Sequence, residues 1–374
     1  MPLPASCTAA VLYKFGEPLV LETLALPTTI EPGAIIVKME VASVCGTDVH
    51  FWQGEFGRPD LIPLPIVLGH EMVGRVAALG AGVSKDSVGE PLDIGDRIIW
   101  THGSCGQCYY CVVAHQEVLC PTRRINLQHT LRKFPYLVGG FSEYCYVFPQ
   151  SGRIKVPDEV PSDIASAASC ALRTVINGFD RLGRIAPDET VVIQGAGALG
   201  LFSTALAVHA GASQVIVFGA PDERLRVAER WGASRTVSIE RLPDADARRD
   251  EVLRATGGRG ADIVIEVSGG HTAFPEGLDL CRPGGRYLVI GQIGGHRVSI
   301  APTTIVLKQI TIIGAQSGGP DHYHKALQFI KATRHRFTFQ DLLTNRYNLA
   351  DINQALEAMR AFREVKAVIE FPNA

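Results

Sequence analysis

The sequence has no apolar run approaching the ~20 residues that a membrane helix needs. It also lacks a surplus of either charge: 36 Lys and Arg stand against 38 Asp and Glu, a net charge of −2. The first absence argues against a spanning helix. The second removes the basic footprint by which nucleic acid or an anionic membrane would be held. Met1-Pro2-Leu3-Pro4-Ala5-Ser6 lacks a basic stretch followed by an apolar one, so no signal peptide is expected. Internal repeats and low-complexity segments are missing too. What remains is an ordinary globular composition, 46% apolar and 20% charged. A length of 374 residues exceeds what one core usually holds, which predicts two domains. Nine cysteines without a secretion signal point to a reducing compartment, the cytoplasm, where thiols serve metals.

Four of those cysteines, Cys105, Cys108, Cys111 and Cys120, are spaced Cys-x2-Cys-x2-Cys-x8-Cys. Thiols this tightly clustered wrap one tetrahedral zinc with short loops. Four thiolates close the coordination shell, so this lobe, at about 100–122, stabilises the fold and performs no chemistry. Disulfide pairs are the alternative, and nothing else in the chain looks secreted.

The first ~150 residues read as β-rich, with short runs such as 35–41 and 96–100 between Gly and Pro punctuation. From about Val191 the rhythm becomes strand, helix, strand, helix. Strands are expected at 190–194, 214–218, 261–267 and 286–290, with helices at 199–210 and 222–231. That alternation implies a parallel sheet covered on both faces. Helices at 323–333 and 351–362 and a strand at 365–371 close the chain. Gly195-Ala196-Gly197-Ala198-Leu199-Gly200 lies between the first strand and first helix of the alternation. The first glycine permits a tight turn, the second lets backbone approach a pyrophosphate, and the third lets helix and strand pack closely. The helix N-terminus then faces the phosphates. Gly195, Gly197, Leu199 and Gly200 are therefore cofactor-binding candidates.

The second strand ends in Phe218-Gly219-Ala220-Pro221, where NAD-preferring sites usually carry an acid. Gly219 removes repulsion toward a 2′-phosphate and so tolerates NADP. Asp222 and Glu223 oppose that phosphate, and Arg224 suits either ribose form or a solvated helix face. The balance leans slightly to NAD.

Val44-Cys45-Gly46-Thr47-Asp48-Val49-His50 and Leu68-Gly69-His70-Glu71 supply a thiolate and an imidazole, and Cys170 adds a second thiolate. Three protein ligands with one open position describe a catalytic zinc. Read alone, Cys170 also fits a small buried residue. Taken in order along the whole chain, these motifs resemble the zinc-dependent medium-chain alcohol dehydrogenases.

The resemblance implies an α/β protein: a β-rich GroES-like catalytic domain at 1–171 and 316–374, and a Rossmann-type doubly wound parallel-sheet cofactor domain at 172–315. It implies two zinc ions per chain and hydride transfer between an alcohol or ketone and NAD(P). Cys45, His70 and Cys170 would hold the catalytic zinc, with Glu71 beside it and able to coordinate transiently. Asp48 would orient His70. Thr47 would contact the alcohol, and His50 would pass its proton to solvent. Thr174 would sit against the nicotinamide and Lys366 near the pyrophosphate. The partners implied are a small-molecule alcohol or ketone and further copies of the chain, as homodimer or homotetramer.

Three departures stand out. The lobe has eight residues before Cys120 where the family commonly has seven, Gly46 stands where some members carry Arg, and Gly219 replaces the ribose acid. Phe51, Trp52, Phe56 and Trp100 are read as walls of an apolar pocket, which suits a bulky secondary alcohol, cyclic or aromatic; plain core is the other reading. A polyol or sugar-type substrate is the alternative within the family, although such enzymes often use Glu where Cys170 stands. A non-catalytic zinc-stabilised dinucleotide module and a zinc-free enone or quinone reductase are the alternatives outside it. Cys7, Cys145 and Cys281 read as packing residues, and His102, His115, His322 and His324 as surface or satisfied histidines.

Overall fold

The computed structural model describes residues 3–55, 62–291 and 297–371. The chain divides into two compact units: Met1–Arg173 with Gly318–Ala332 and Leu342–Ala374, and Thr174–Ser317 with Thr333–Asp341.

The first unit is β-rich. Its larger sheet runs, in spatial order, Leu343–Asn348, Lys366–Glu370, Ile35–Val44, Glu71–Leu79, Arg97–Gly103 and Ser151–Lys155, with Tyr144–Val147 also paired to Ile35–Val44. A three-stranded sheet of Val20–Ala25, Ser6–Leu12 and Ile66–Val67 accompanies it. Val, Ile and Ala fill Ile35–Val44, and most of its side chains are buried, as expected of a central strand covered on both faces. The register matters for function. Ser43 pairs with Glu71, and Val44 pairs with Ala367, so the end of one strand meets the starts of its two neighbours.

The second unit is a six-stranded parallel sheet in the order Arg235–Ser238, Gln214–Gly219, Thr190–Gln194, Ala261–Glu266, Cys281–Val289, Thr311–Gly314. The reversal of order on either side of Thr190–Gln194 is the doubly wound topology, with its ligand crevice at the carboxyl ends of the central strands. All five residues of Thr190–Gln194 and all six of Ala261–Glu266 are buried. The expected strand at 286–290 is the second half of a longer one, Cys281–Val289, whose register shifts between Ala261 and Ile263 on its neighbour. Pro283-Gly284-Gly285 hides that continuity in the sequence, because such residues normally mark a turn.

Candidate active site

Cys45 caps the helix Gly46–Gln53. Asp48, at its third position, returns a carboxylate oxygen to the Cys45 N–H at 3.0 Å, completing a reciprocal capping box. The same carboxylate accepts from His70 Nδ1 at 2.9 Å and from the Gly69 N–H at 3.2 Å. With Nδ1 committed, His70 turns Nε2 outward as its metal-binding atom. Gly69 sits at φ +92°, and a Cβ there would come within 2.8 Å of the Phe141 ring, so glycine is required beside the histidine.

Cys170 arrives from a π-helical turn, Ala168–Leu172, between the helices Ser162–Ala167 and Arg173–Leu182. Ser166 pins this segment to the sheet. Its hydroxyl donates to the Glu71 carbonyl at 2.9 Å, accepts from the Ser43 N–H at 3.0 Å, and lies 2.9 Å from the Ser43 hydroxyl. The strand register and this clip bring donor atoms of Cys45, His70, Glu71 and Cys170 within 4.8 Å of one another. Two sulfurs on one zinc lie about 3.8 Å apart at Zn–S bonds of ~2.3 Å, so the set fits a single ion.

The electrostatics favour a cation. Hydrogen bonding from Cys45 and, after burial's opposing effect, the charges of His70 and Arg173 hold the Cys170 thiol well below its ordinary value. Burial alone would lower the His70 imidazole, but Asp48 and Cys170 raise it well above. Lys366, 2% exposed, donates to both Glu71 oxygens, at 2.5 and 2.6 Å. Burial alone would lower its ammonium, while Cys45 and then Glu71 raise it. The sequence reading directed Lys366 to a pyrophosphate; in the structure its ammonium is engaged by Glu71. Thr47 is half-buried on the first turn of the capped helix. His50 is exposed on the same helix, its Nδ1 3.0 Å from Glu55 Oε2.

Arg173 is the residue that sequence reasoning missed. It is 3% exposed, stacks over the Tyr323 ring at 5.2 Å, and donates from Nε to the Ser169 carbonyl at 2.9 Å. The available signal was an arginine inside the apolar stretch Ala171 to Ile176. The expected aromatic wall is a correction. Phe51, Trp52 and Trp100 belong to the hydrophobic core of the first unit, and Trp52 Nε1 is spent on the Glu17 carbonyl. Phe56 lies outside the described residues.

The four-cysteine lobe gathers a second donor set. Thiols of Cys105, Cys108, Cys111 and Cys120 also lie within 4.8 Å of one another. Cys108 and Cys111 sulfurs are 3.5 Å apart, and the Cys105 N–H points at the Cys120 sulfur at 3.4 Å. A short 3-10 turn, Glu117–Leu119, immediately precedes Cys120. Cys7, Cys145 and Cys281 are buried and unpaired with one another.

In the second unit, Gly195 turns at φ +121°, and its N–H donates to the Phe218 carbonyl at 2.8 Å. A Cβ on Gly200 would sit 1.8 Å from the Gly195 carbonyl oxygen, so helix and strand pack in contact there. A Cβ on Gly197 meets nothing within 4 Å, which leaves backbone open at the N-cap of the helix Ala198–His209. Leu199 is in the first turn of that helix. Thr174 is buried. A Cβ on Gly219 would fall 2.5 Å from the Ala196 Cβ, so a side chain at this position has no room beside the glycine loop. Arg224 is half-buried on the helix Asp222–Arg230.

Comparison with known proteins places the chain in a family. Residues 31–158 match the alcohol dehydrogenase GroES-like domain, and residues 198–332 match the zinc-binding dehydrogenase domain. The chain is 33% identical to 5-exo-hydroxycamphor dehydrogenase of Pseudomonas putida over 91% of its own length and 92% of that protein. This chain belongs to the zinc-dependent medium-chain alcohol dehydrogenase family. The dehydrogenase is also similar to the crystal structure of an alcohol dehydrogenase from Thermotoga maritima, with TM-score 0.90 and 34% identity, covering 98% of this chain and 99% of the other. A protein of Sinorhizobium meliloti 1021 described as a zinc-binding dehydrogenase and bound to NADP superimposes with TM-score 0.81 at 26% identity, covering 98% and 100%. The chain is thus an oxidoreductase with a GroES-like domain and a Rossmann-type sheet. Among the described residues no helix is long and apolar enough to cross a membrane.

Proposed function

We propose that this dehydrogenase oxidises a bulky secondary alcohol to a ketone, or the reverse, with NAD and two zinc ions per chain. The observation that carries the reading is the gathered set of Cys45, His70, Glu71 and Cys170 beside a separate set of four cysteines; with Glu71 held by Lys366, the other three would leave a zinc one open position. When bound, zinc supplies the Lewis acidity that favours loss of the alcohol proton, and the nicotinamide supplies the hydride acceptor. The chain's own residues do the rest. Asp48 fixes the tautomer and aim of His70. Lys366 holds Glu71 as a paired carboxylate next to the metal donors. Thr47, half-buried on the same helix, would contact the alcohol, and His50, exposed and bonded to Glu55, would pass its proton to solvent.

The relative named for 5-exo-hydroxycamphor, a bicyclic secondary alcohol, supports the substrate class. The packing of Phe51, Trp52 and Trp100 into the core removes the aromatic-wall argument for it. NAD stays slightly favoured because Asp222 and Glu223, at the start of the helix past Gly219, would oppose a 2′-phosphate, although Asp222 Oδ1 is ion-paired with Arg241 at 3.3 Å. A homo-oligomer is supported by Thr311–Gly314, an edge strand with Ile312 exposed, following the exposed Val306 and Leu307. The thiols must stay reduced to hold metal, which fits the cytoplasm.

The test is nicotinamide reduction followed by absorbance, with paired panels of cyclic secondary alcohols, short primary alcohols and polyols, each against NAD and NADP. Turnover of cyclic secondary alcohols with NAD is expected. Turnover restricted to polyols would overturn the substrate class. Binding of cofactor without turnover, at one zinc per chain, would overturn the catalytic reading.

A further inference from the structure

A doubly wound sheet recognises the adenosine ribose past the end of the second strand of its alternation. An acid there takes a free 2′-hydroxyl, and an arginine nearby accommodates a 2′-phosphate. In this chain that strand is Gln214–Gly219, and its last residue has no room for a side chain. Discrimination therefore falls to residues beyond it, where two segments meet. One is the start of the helix Asp222–Arg230. The other is the turn 239–241, which follows the neighbouring strand Arg235–Ser238. Strand register sets the meeting: Ser238 pairs with Gly219, and the Ile239 N–H donates to the Gly219 carbonyl at 3.1 Å. Ser238 also shapes the turn, its hydroxyl accepting the Arg241 N–H at 3.3 Å and its carbonyl the Leu242 N–H at 2.9 Å.

From this turn Arg241 reaches the helix start, where its guanidinium lies 3.3 Å from Asp222 Oδ1. No hydrogen bond fixes that contact, and the Arg241 side chain is 72% exposed. Exposed ion pairs of this kind hold weakly. A guanidinium so loosely engaged is free to turn to a phosphate, which it grips with two parallel hydrogen bonds. Glu223, the second acid of the helix start, is engaged at 2.8 Å by Arg226 on its own helix. Both acids that would repel a 2′-phosphate are thus offset by an arginine, and Arg241 is the one that arrives from another strand.

We propose that Arg241 is a specificity-determining residue of this dehydrogenase, which trades Asp222 for the 2′-phosphate when NADP binds and so keeps the preference for NAD narrow. The proposal rests on the reading that a nicotinamide cofactor lies at the glycine loop. The pair works by exchange. With NAD, Asp222 meets the ribose hydroxyls and Arg241 stays beside it. With NADP, the phosphate takes the guanidinium in place of Asp222. A pair that only fastened the turn to the helix would carry no such sign, and its loss would weaken both cofactors alike or neither.

The experiment is isothermal titration of the full-length protein, at about 0.15 M salt, with ADP-ribose and with 2′-phospho-ADP-ribose. The two probes differ by one phosphate and need no turnover. Arg241→Gln is expected to weaken 2′-phospho-ADP-ribose by about tenfold, the effect of one lost hydrogen bond to a charged group. ADP-ribose should bind as well as before or up to about threefold better, because Asp222 is released to the ribose. Arg241→Lys keeps the charge and should stay within about threefold of the parent for the phosphorylated probe. Asp222→Asn should act in the opposite sense, strengthening 2′-phospho-ADP-ribose by about fivefold while weakening ADP-ribose. Glu240→Gln removes an exposed charge from the same turn and should leave both probes within about twofold. Arg241→Gln that shifts both probes by one factor, or neither, overturns the proposal. So does Glu240→Gln that matches Asp222→Asn, since general surface charge would then explain the effect. A parent protein that binds ADP-ribose and rejects the phosphorylated probe removes the role of Arg241 and leaves the cofactor reading intact. A parent that binds neither refutes that reading, and the proposal with it.

Discussion

His70 and Asp48 are joined at 2.9 Å, and the Asp48 carboxylate that takes the imidazole proton also takes the N–H of Cys45. One side chain thereby sets the position of two metal donors 25 residues apart. Asp48→Asn presents one acceptor oxygen in place of two and adds donors that have no use there. Zinc affinity at the open site should fall roughly 10–100-fold, as is usual when the partner of a metal-bound histidine is altered. Competition with a chelator of known affinity measures it.

The four-cysteine lobe should count separately from the open site. Cys111→Ser is expected to lower zinc content from two ions per chain to one by native mass spectrometry. Cys45→Ser should do the same while abolishing turnover. Cys111→Ser should also lower the thermal midpoint, because structural zinc binding is part of the folding free energy.

An acid engineered at Gly219 should not sharpen the preference for NAD. The Cβ of Gly219→Asp would meet the Ala196 Cβ at 2.5 Å, in the middle of the glycine loop. The expected outcome is weaker binding of both NAD and NADP in fluorescence titrations, and a loss of about 1–3 kcal/mol in urea unfolding from overpacking.

Asp262 links stability to acid. Burial alone would raise its carboxyl, but the Thr190 N–H at 2.8 Å and Arg282 hold it below the ordinary value of 3.8. A carboxyl whose folded value is depressed contributes stability above its unfolded value and loses it as pH falls through the folded one. Asp262→Asn should therefore cost about 2 kcal/mol at neutral pH. The gap between variant and parent should narrow as the pH drops below 3.8, which urea unfolding across pH will show.

Much of the fold was legible because each motif is local. The glycine loop needs only a strand, a turn and a helix, and the four cysteines lie within sixteen residues. Capping by Asp48 is also local, three residues from Cys45. What the sequence could not show were meetings set by strand register. Lys366 reaches Glu71 across 295 positions because two strands flank Ile35–Val44. Phe51 and Trp52 misled for a different reason. A pocket wall and a core face both call for large apolar side chains, and only the packing of the helix Gly46–Gln53 distinguishes them.

The π-helical turn at Ala168–Leu172 makes this stretch sensitive to chain length. A π-turn holds one residue more than the α-turn it replaces. An in-frame loss of a single codon here would let the turn relax into regular helix, keeping the flanking helices in phase but removing the bulge from which Cys170 projects. Cys170 would then leave its place, although no residue identity had changed. The loop before Cys120, by contrast, closes on a point through a short 3-10 turn, Glu117–Leu119. The two donor sets of one protein thus differ in how much length variation a lineage can pass through them.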